Sequence, residues 1–175
     1  MNLISCKISD FSSDEMWVMY NVENRVDPRK DSMIAHYFAK KFIADRLPSK
    51  VKNVHFKYTD AGKPYYDDNH HFSISHSNEY IFVTYSNKPT GVDSEILRKI
   101  NPKFIYKVLA ENEIDNNADF SIEFLKAWTL KEAYLKLKGH KVCEFQQITK
   151  QKLSDDHTII TNVTEEYIMT AVFEE

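Results

Sequence analysis

Two acidic clusters in different kinds of local structure hold the residues of this chain best suited to chemistry. The first cluster, Asp93 and Glu95, lies in the run Gly91–Glu95, which follows a strand-like run at 80–85. Side chains of a strand alternate between its faces, so both carboxylates should point to one side, about 7 Å apart. By the same alternation, Ser94 should point away from them.

The second cluster lies in the run 128–136. Trp128, Glu132 and Lys136 are spaced four and four, which places them in a row along one helix face, about 12 Å in length. Three carboxylates and one lysine suit a hard cation that holds a polyphosphate, because Mg²⁺ takes oxygen ligands from a few carboxylates and from substrate phosphates. On its own, the pair of Glu132 and Lys136 also fits an ordinary i,i+4 salt bridge on a helix surface.

The composition is that of an ordinary globular protein. The chain has 175 residues, 42 % hydrophobic and 28 % charged, which is enough to bury a core in one domain or in two small halves. A net charge of −3 gives little support for nucleic-acid binding. No signal-peptide core and no apolar run of membrane-spanning length is visible, and Cys6 and Cys143 match no metal spacing. We therefore expect a cytoplasmic protein with reduced thiols.

The apolar pattern predicts helices and strands on both sides of about residue 88. Predicted strands lie at 3–8, 16–20, 54–58, 72–75, 80–85 and 91–95, and a closing hairpin lies at 158–163 and 167–173. One helix should begin at Asp27-Pro28 and end near Leu47. Residues 102–109 should also be helical. The clearest helix covers 122–138 and should end at Gly139 as its C-terminal cap.

Four short motifs in one order resemble those of the 4′-phosphopantetheinyl transferase superfamily. They are the turn Gly62–Tyr65, the Ser-His-Ser strand Phe72–Ser77, the acidic run Gly91–Glu95, and the run Trp128–Lys136 with Gly139 behind it. Each motif alone is weak, but four in family order over nearly half the chain are specific. The chain departs from the family pattern at Ser94, where an apolar residue is common, and at His140-Lys141, where a second glycine often stands.

The resemblance implies an Mg²⁺-dependent enzyme. Such a transferase moves the 4′-phosphopantetheine arm of coenzyme A onto a serine hydroxyl of an apo acyl or peptidyl carrier protein and releases 3′,5′-ADP. It also implies an α+β fold of two similar α/β halves, each a helix packed on an antiparallel sheet. The two halves form a pseudo-dimer, with the active site in the cleft between them. The first half would be residues 1–88 and the second 89–175. We expect a compact two-half monomer without nucleic-acid or membrane partners.

The same resemblance suggests roles for single residues. Asp93, Glu95 and Glu132 would hold the metal, and Lys136 would bind and stabilise the departing phosphate. The base for the serine hydroxyl would be Glu132, directly or through a metal-bound water, or else His76. Lys63 would contact a coenzyme phosphate.

Further coenzyme contacts would come from Ser75 and His76 in the Ser-His-Ser motif and from the first long helix. Lys40 is the candidate on that helix. Which basic residue there would hold the 3′-phosphate stays open among Arg29, Lys30, Lys40 and Lys41. The carrier, the pathway and the tolerance for acyl-coenzyme A also stay open, and Glu113 receives no firm role.

Other functions fit the sequence less well. The main alternative is a non-catalytic module of the same fold that binds coenzyme A or a carrier protein, although such a module need not keep a metal cage. A serine hydrolase would need a Gly-x-Ser-x-Gly elbow, and a nucleotide hydrolase would need a Gly-x-x-x-x-Gly-Lys-[Ser/Thr] loop. The sequence has neither. His70 and His71 beside Asp67 and Asp68 match no zinc spacing.

Overall fold

A computed structural model gives the structure of this chain. It describes residues 1–23, 30–59, 62–109, 113, 119–139, 147–153 and 155–175. The strands are β1 Asn2–Lys7, β2 Lys57–Tyr58, β3 Pro64–Tyr65, β4 His71–Ser77, β5 Tyr80–Ser86, β6 Thr90–Ile96, β7 His157–Val163 and β8 Tyr167–Glu174. The helices are α1 Ser13–Glu23, α2 Lys30–Ala44, α3 Ile105–Val108, α4 Phe120–Lys138 and α5 Lys150–Leu153, with 3-10 turns at Ile8–Asp10, Val51–Asn53 and Pro102–Phe104.

The long strands form two antiparallel sheets of three strands each. The first sheet has the order β1-β5-β4 and the second has the order β6-β8-β7, while β2 and β3 make a separate short pair. The β4–β5 hairpin turns through Asn78, which adopts a φ of 55°, a left-handed conformation that asparagine tolerates. The predicted closing hairpin is confirmed, because β7 pairs with β8, and the strands predicted at 72–75 and 80–85 pair with each other.

The central strand β5 separates two cores because its side chains alternate between its faces. On one face Ile81, Val83 and Tyr85 pack against α2. On the other face Tyr80 and Phe82 pack against Met169, Ala171 and Phe173 of β8. Helix α4 packs on the opposite face of β8, against Ile168 and Val172. The layers therefore follow the order α2, first sheet, second sheet, α4.

Residues 16–20 form part of helix α1, so the strand predicted there was wrong. A reciprocal cap starts the helix. The Ser12 N–H donates to Glu15 Oε2 at 2.8 Å, and the Glu15 N–H donates to Ser12 Oγ at 3.3 Å. This Ser-x-x-Glu spacing is a helix-start signal, and it outweighs the apolar run that follows it.

Two other predictions along the first segment have different outcomes. The strand predicted at 54–58 is reduced to Lys57–Tyr58, because only these two residues pair with the short strand β3. The Asp27-Pro28 start predicted for the first long helix lies outside the described residues, which resume within the helix at Lys30.

Helix α4 confirms the clearest prediction from the sequence. Asp119 is its N-cap and accepts hydrogen bonds from the backbone N–H groups of Ser121 and Ile122. Gly139 caps the other end with a φ of 71°, and its N–H donates to the carbonyl of Leu135. Because both ends are fixed, the face that carries the predicted site residues has a defined position.

The α+β class with helices packed on antiparallel sheets is confirmed. One helix covers one sheet on each side of about residue 88. In the described part of the chain, none of the helices combines the length and the apolar character needed to cross a membrane.

Candidate functional site

A cavity of about 430 Å³ brings five of the predicted site residues together. Ser75 and His76 reach it from β4, Asp93 and Glu95 from β6, and Lys136 from α4. Its walls therefore include residues before and after position 88, and they combine carboxylates, a lysine and two histidines.

Three alternating serines of β4 join the first sheet to the second beside this cavity. The Val92 N–H donates to Ser73 Oγ at 3.1 Å, and the Ile96 N–H donates to Ser77 Oγ at 3.0 Å. The hydroxyl of Ser75 lies between these bonds. Residues later in β4 contact residues later in β6, so the two strands run side by side in the same direction. Side-chain hydroxyls take the place of a backbone ladder here, a role that the period of two in Ser73–Ser77 signals but that the motif analysis missed.

Asp93 is the centre of the charge network. Its side chain is buried, and Oδ1 accepts hydrogen bonds from Lys136 Nζ at 2.7 Å and from Ser75 Oγ at 3.2 Å. Ser75 Oγ also lies 3.1 Å from Ser94 Oγ, and Ser94 lines the same cavity. Ser94 therefore contacts the site network through Ser75, whose hydroxyl reaches both Asp93 and Ser94.

Gly91 sets the distance between β6 and α4. A Cβ atom at this position would lie 1.8 Å from the carbonyl oxygen of Ala133 and 2.7 Å from the backbone nitrogen of Leu137. Both contacts are with backbone atoms, which cannot rotate away. Only glycine therefore allows the approach that brings Lys136 to Asp93, and the sequence analysis missed this steric role.

Glu132 lies on α4 one turn before Lys136 and is half-buried. Burial raises the pKa of its carboxyl above the ordinary 4.5, and the negative charges of Asp93 and Glu95 raise it further, while the Lys136 ammonium partly opposes them. The three predicted metal ligands thus lie within electrostatic reach of one another.

These three acids do not form a closed metal cage in this arrangement. Among the described residues, no group of three His, Cys, Asp or Glu side chains is close enough to hold a metal ion. The Asp93 carboxylate is paired with Lys136, and Glu95 Oε2 accepts from Arg98 at 3.4 Å. The donor chemistry still fits a hard divalent cation, since all three groups are carboxylates whose mutual repulsion such a cation would relieve.

Lys63 links the Gly-Lys-Pro turn to α4 at the rim of the cavity. Its Nζ donates to the backbone carbonyl of Lys136, and its neighbours Gly62 and Pro64 line the cavity. Burial, with a contribution from the Lys136 charge, lowers the pKa of the Lys63 ammonium to about 8.

Lys40 occupies a different environment from the other predicted residues. It is buried on α2, with Nζ 5.6 Å from the centroid of the Phe56 ring, and it is not among the described residues that line the cavity. Of the other basic candidates, Lys41 pairs with Asp45 at 3.2 Å, Lys30 is exposed and Arg29 lies outside the described residues.

Two acids without a predicted role have defined partners. Asp31 Oδ2 lies 3.0 Å from Nδ1 of His76. Glu113 accepts from the fully buried Lys131 Nζ at 2.6 Å, and the same ammonium donates to the carbonyl of Val108. Neither pair has a sequence signal, because its partners are 45 and 18 residues apart, respectively.

A second cavity, of about 500 Å³, lies beside Trp128. Its walls include Phe104, Phe124 and Trp128, while Arg98 and Lys107 bring positive charge to it. Trp128 stacks on Phe124 with a centroid distance of 6.2 Å. The predicted row on α4 therefore divides, with Trp128 in this apolar cavity and Lys136 in the charged one.

Comparison with known proteins concerns the second half of the chain, which contains Asp93, Glu132 and Lys136. A sequence model described as "4'-phosphopantetheinyl transferase superfamily" matches residues 89–174. The resemblance predicted from the motifs is confirmed. The matched residues contain β6, α4 and the two strands that pack against them, and with them every predicted metal ligand.

Several curated proteins are similar to this chain. The 4′-phosphopantetheinyl transferase gsp of Aneurinibacillus migulanus is 33 % identical over 113 residues, which are 62 % of this chain and 48 % of that protein. The transferase ffp of Bacillus subtilis is 25 % identical over 118 residues, 62 % and 51 % of the two chains. The transferase Sfp of Bacillus subtilis strain 168 is 24 % identical over 118 residues, with the same coverage. The chain thus spans about half the length of these relatives.

Proposed function

We propose that this chain transfers the 4′-phosphopantetheine arm of coenzyme A to a serine hydroxyl of an apo acyl or peptidyl carrier protein. The observation that carries the proposal is the convergence of His76, Asp93 and Lys136 on one cavity. The charges of Asp93 and Glu95 also act on the carboxyl of Glu132. The similar proteins, all named as 4′-phosphopantetheinyl transferases, support it.

The proposal includes Mg²⁺ held by Asp93, Glu95 and Glu132. When bound, this cation supplies charge neutralisation for a pyrophosphate. The raised pKa of Glu132, which comes first from burial and then from the charges of Asp93 and Glu95, supports the assignment, because a bound cation would stabilise the ionised carboxylate. Calorimetric titration of the protein with MgCl₂ tests it. Glu95→Gln should weaken Mg²⁺ binding, whereas Glu123→Gln, which changes an acid paired with Lys126 elsewhere on α4, should leave it unchanged.

The protein side chains would bind and polarise the coenzyme phosphates. Lys136, Lys63 and His76 supply positive charge or hydrogen-bond donors at one cavity. The serine oxygen forms a bond to phosphorus, the pyrophosphate bridge breaks, and 3′,5′-ADP leaves with the electron pair. The serine proton passes to a base, for which Glu132 stands before His76, because a raised pKa makes this carboxylate a better proton acceptor than an ordinary glutamate.

The carrier protein would dock over the second cavity. Apolar side chains such as Phe104, which is half exposed, line it together with the positive charges of Arg98 and Lys107. A carrier surface with an apolar patch between acidic side chains complements this combination.

Residues 1–88 and 89–175 would be the two halves of a pseudo-dimer with the site between them. Both sides of residue 88 line the charged cavity, which supports a monomer that completes its own site. Mixing inactive His76→Ala and Lys136→Ala proteins tests this point, because activity recovered in the mixture would show that sites form between chains. The cytoplasm stays the expected compartment.

The alternative is a non-catalytic module that binds coenzyme A or a carrier protein. One observation favours it, namely that the described acids are not arranged as a closed metal site. Intact mass spectrometry decides between the two functions. The protein is incubated with an apo carrier, coenzyme A and Mg²⁺, and the carrier should gain the mass of one phosphopantetheine while 3′,5′-ADP appears.

The matched control for this assay is Asp93→Asn, which keeps the size of the side chain but removes its charge. It should abolish the mass increase. Coenzyme A that binds without any carrier modification would contradict the transfer function and support the binding module.

A further inference from the structure

Two histidines line the charged cavity, and different partners hold their Nδ1 atoms. His36 Nδ1 lies 2.7 Å from the carbonyl oxygen of Ser32 in its own helix. His76 Nδ1 lies 3.0 Å from Oδ2 of Asp31, a carboxylate from the first turn of α2. A contact between strand β4 and helix α2 thus fixes the His76 ring.

Asp31 is itself held in place. Its Oδ1 accepts the backbone N–H of Ser32 at 2.8 Å, which leaves Oδ2 for the imidazole. The Asp31 side chain is 23 % exposed and that of His76 is 41 % exposed. The acid is therefore the more sheltered member of the pair, and the histidine is the member that reaches the cavity.

We propose that Asp31 is a positioning residue for His76. Its carboxylate accepts a hydrogen bond, so Nδ1 must carry the proton, and Nε2, which has no hydrogen bond to the described residues, is the ring atom left for a ligand in the cavity that His76 lines. In the neutral ring Nε2 is an acceptor. After proton uptake it is a donor to a phosphate oxygen, and Asp31 then balances the new charge.

The consequence for coenzyme A binding rests on the proposed function, because it takes the phosphates of coenzyme A as the group that His76 meets. The tautomer does not depend on that function. The two parts of the proposal are therefore measured separately.

Nitrogen-15 NMR of the imidazoles, at a pH where the rings are neutral, tests the tautomer. In the parent protein His76 should carry its proton on Nδ1. Asp31→Asn keeps an acceptor oxygen and should keep this form, whereas Asp31→Ala should shift His76 to the Nε2–H form. Asp45→Ala, which removes an exposed acid paired with Lys41, is the control and should change nothing. A parent His76 protonated on Nε2, or an unchanged tautomer in Asp31→Ala, overturns the proposal.

Calorimetric titration with coenzyme A tests the consequence. Asp31→Ala should weaken binding roughly fivefold, the scale of a partly exposed charged pair, and Asp31→Asn should weaken it less. In a His76→Ala background, Asp31→Ala should have no further effect, because Asp31 acts through the imidazole. An equal loss with and without His76 would overturn the positioning role. If carrier modification fails while the tautomer and binding results hold, the transfer function is refuted and the inference about Asp31 stands.

Discussion

The close approach of β6 to α4 at Gly91 makes the sharpest structural prediction. In Gly91→Ala the new methyl group would lie 1.8 Å from the carbonyl oxygen of Ala133. An ordinary contact begins at 3.4 Å, so the helix must move away from the strand by roughly 1.6 Å or the strand must bend. Both atoms that block the methyl group belong to the helix backbone, so rotation of a side chain cannot relieve the clash.

The expected cost is that of overpacking a tight core, about 1–3 kcal/mol or somewhat more. For a domain of this size, about 3 kcal/mol lowers the Tm by roughly 6–12 °C. The displacement also separates Lys136 from Asp93, whose contact is 2.7 Å in the structure. Transfer activity should therefore fall even at temperatures at which the variant is fully folded.

Gly139→Ala is the matched control. Gly139 has a φ of 71°, and a Cβ atom there would meet none of the described residues within 4 Å. This variant carries only the strain of a left-handed alanine, on the order of 1 kcal/mol. Thermal unfolding followed by circular dichroism, together with the carrier mass assay, measures both effects. If Gly91→Ala proves as stable and as active as Gly139→Ala, the close helix–strand approach is not what holds the site together.

Three further predictions concern the charged side chains of the cavity. Lys136→Ala should lower kcat more than it raises the KM for coenzyme A, because the ammonium meets a phosphate that gains charge during the reaction; a change in KM alone would reassign the residue to ground-state binding. Glu132 has a raised pKa, so the folded state binds more protons than the unfolded state from the ordinary pKa of 4.5 upward, and stability falls as the pH rises through this window. Glu132→Gln should consequently be more stable than the parent at pH 7 but not at pH 4 in urea unfolding without Mg²⁺, and equal pH dependence of the two proteins would contradict this. The pKa of Lys63 is lowered from 10.5 to about 8, so between these two pH values the unfolded state binds more protons than the folded state, and the free energy of unfolding should rise with pH. Lys63→Met should remove this rise. A rise that persists in the variant would show that another group causes it.

The sequence predicted the elements whose ends carry strong local signals. Helix α4 has an aspartate N-cap and a glycine C-cap, and the hairpin of β4 and β5 has alternating runs on both sides of a polar turn. The sequence did not predict helix α1, because the short apolar run at 16–20 also fits a strand, although Ser12 and Glu15 form a capping box. In all three cases, residues at the ends of the element determine where it begins or ends.

The site was predictable only in part, for a different reason. Motif order identified Asp93, Glu132 and Lys136, but long-range contacts decide which atoms meet. Asp31 reaches His76 from a helix that is 45 positions earlier in the chain. Gly91 contributes through the space that it leaves for α4. Neither the absence of a Cβ atom at Gly91 nor the carboxylate of Asp31 leaves a periodic pattern in the sequence.

The pairing of Asp93 with Lys136 explains why the expected metal cage is not closed. A buried carboxylate needs a positive partner, and in the protein alone Lys136 supplies it at 2.7 Å. A divalent cation and a polyphosphate together offer each member of this pair a new partner, the cation for Asp93 and a phosphate oxygen for Lys136. A cation alone would leave the Lys136 ammonium beside it, and a polyphosphate alone would meet the Asp93 carboxylate. The ion pair would therefore favour binding of both ligands over binding of either one, which is the behaviour that the proposed transfer from a metal-bound pyrophosphate needs.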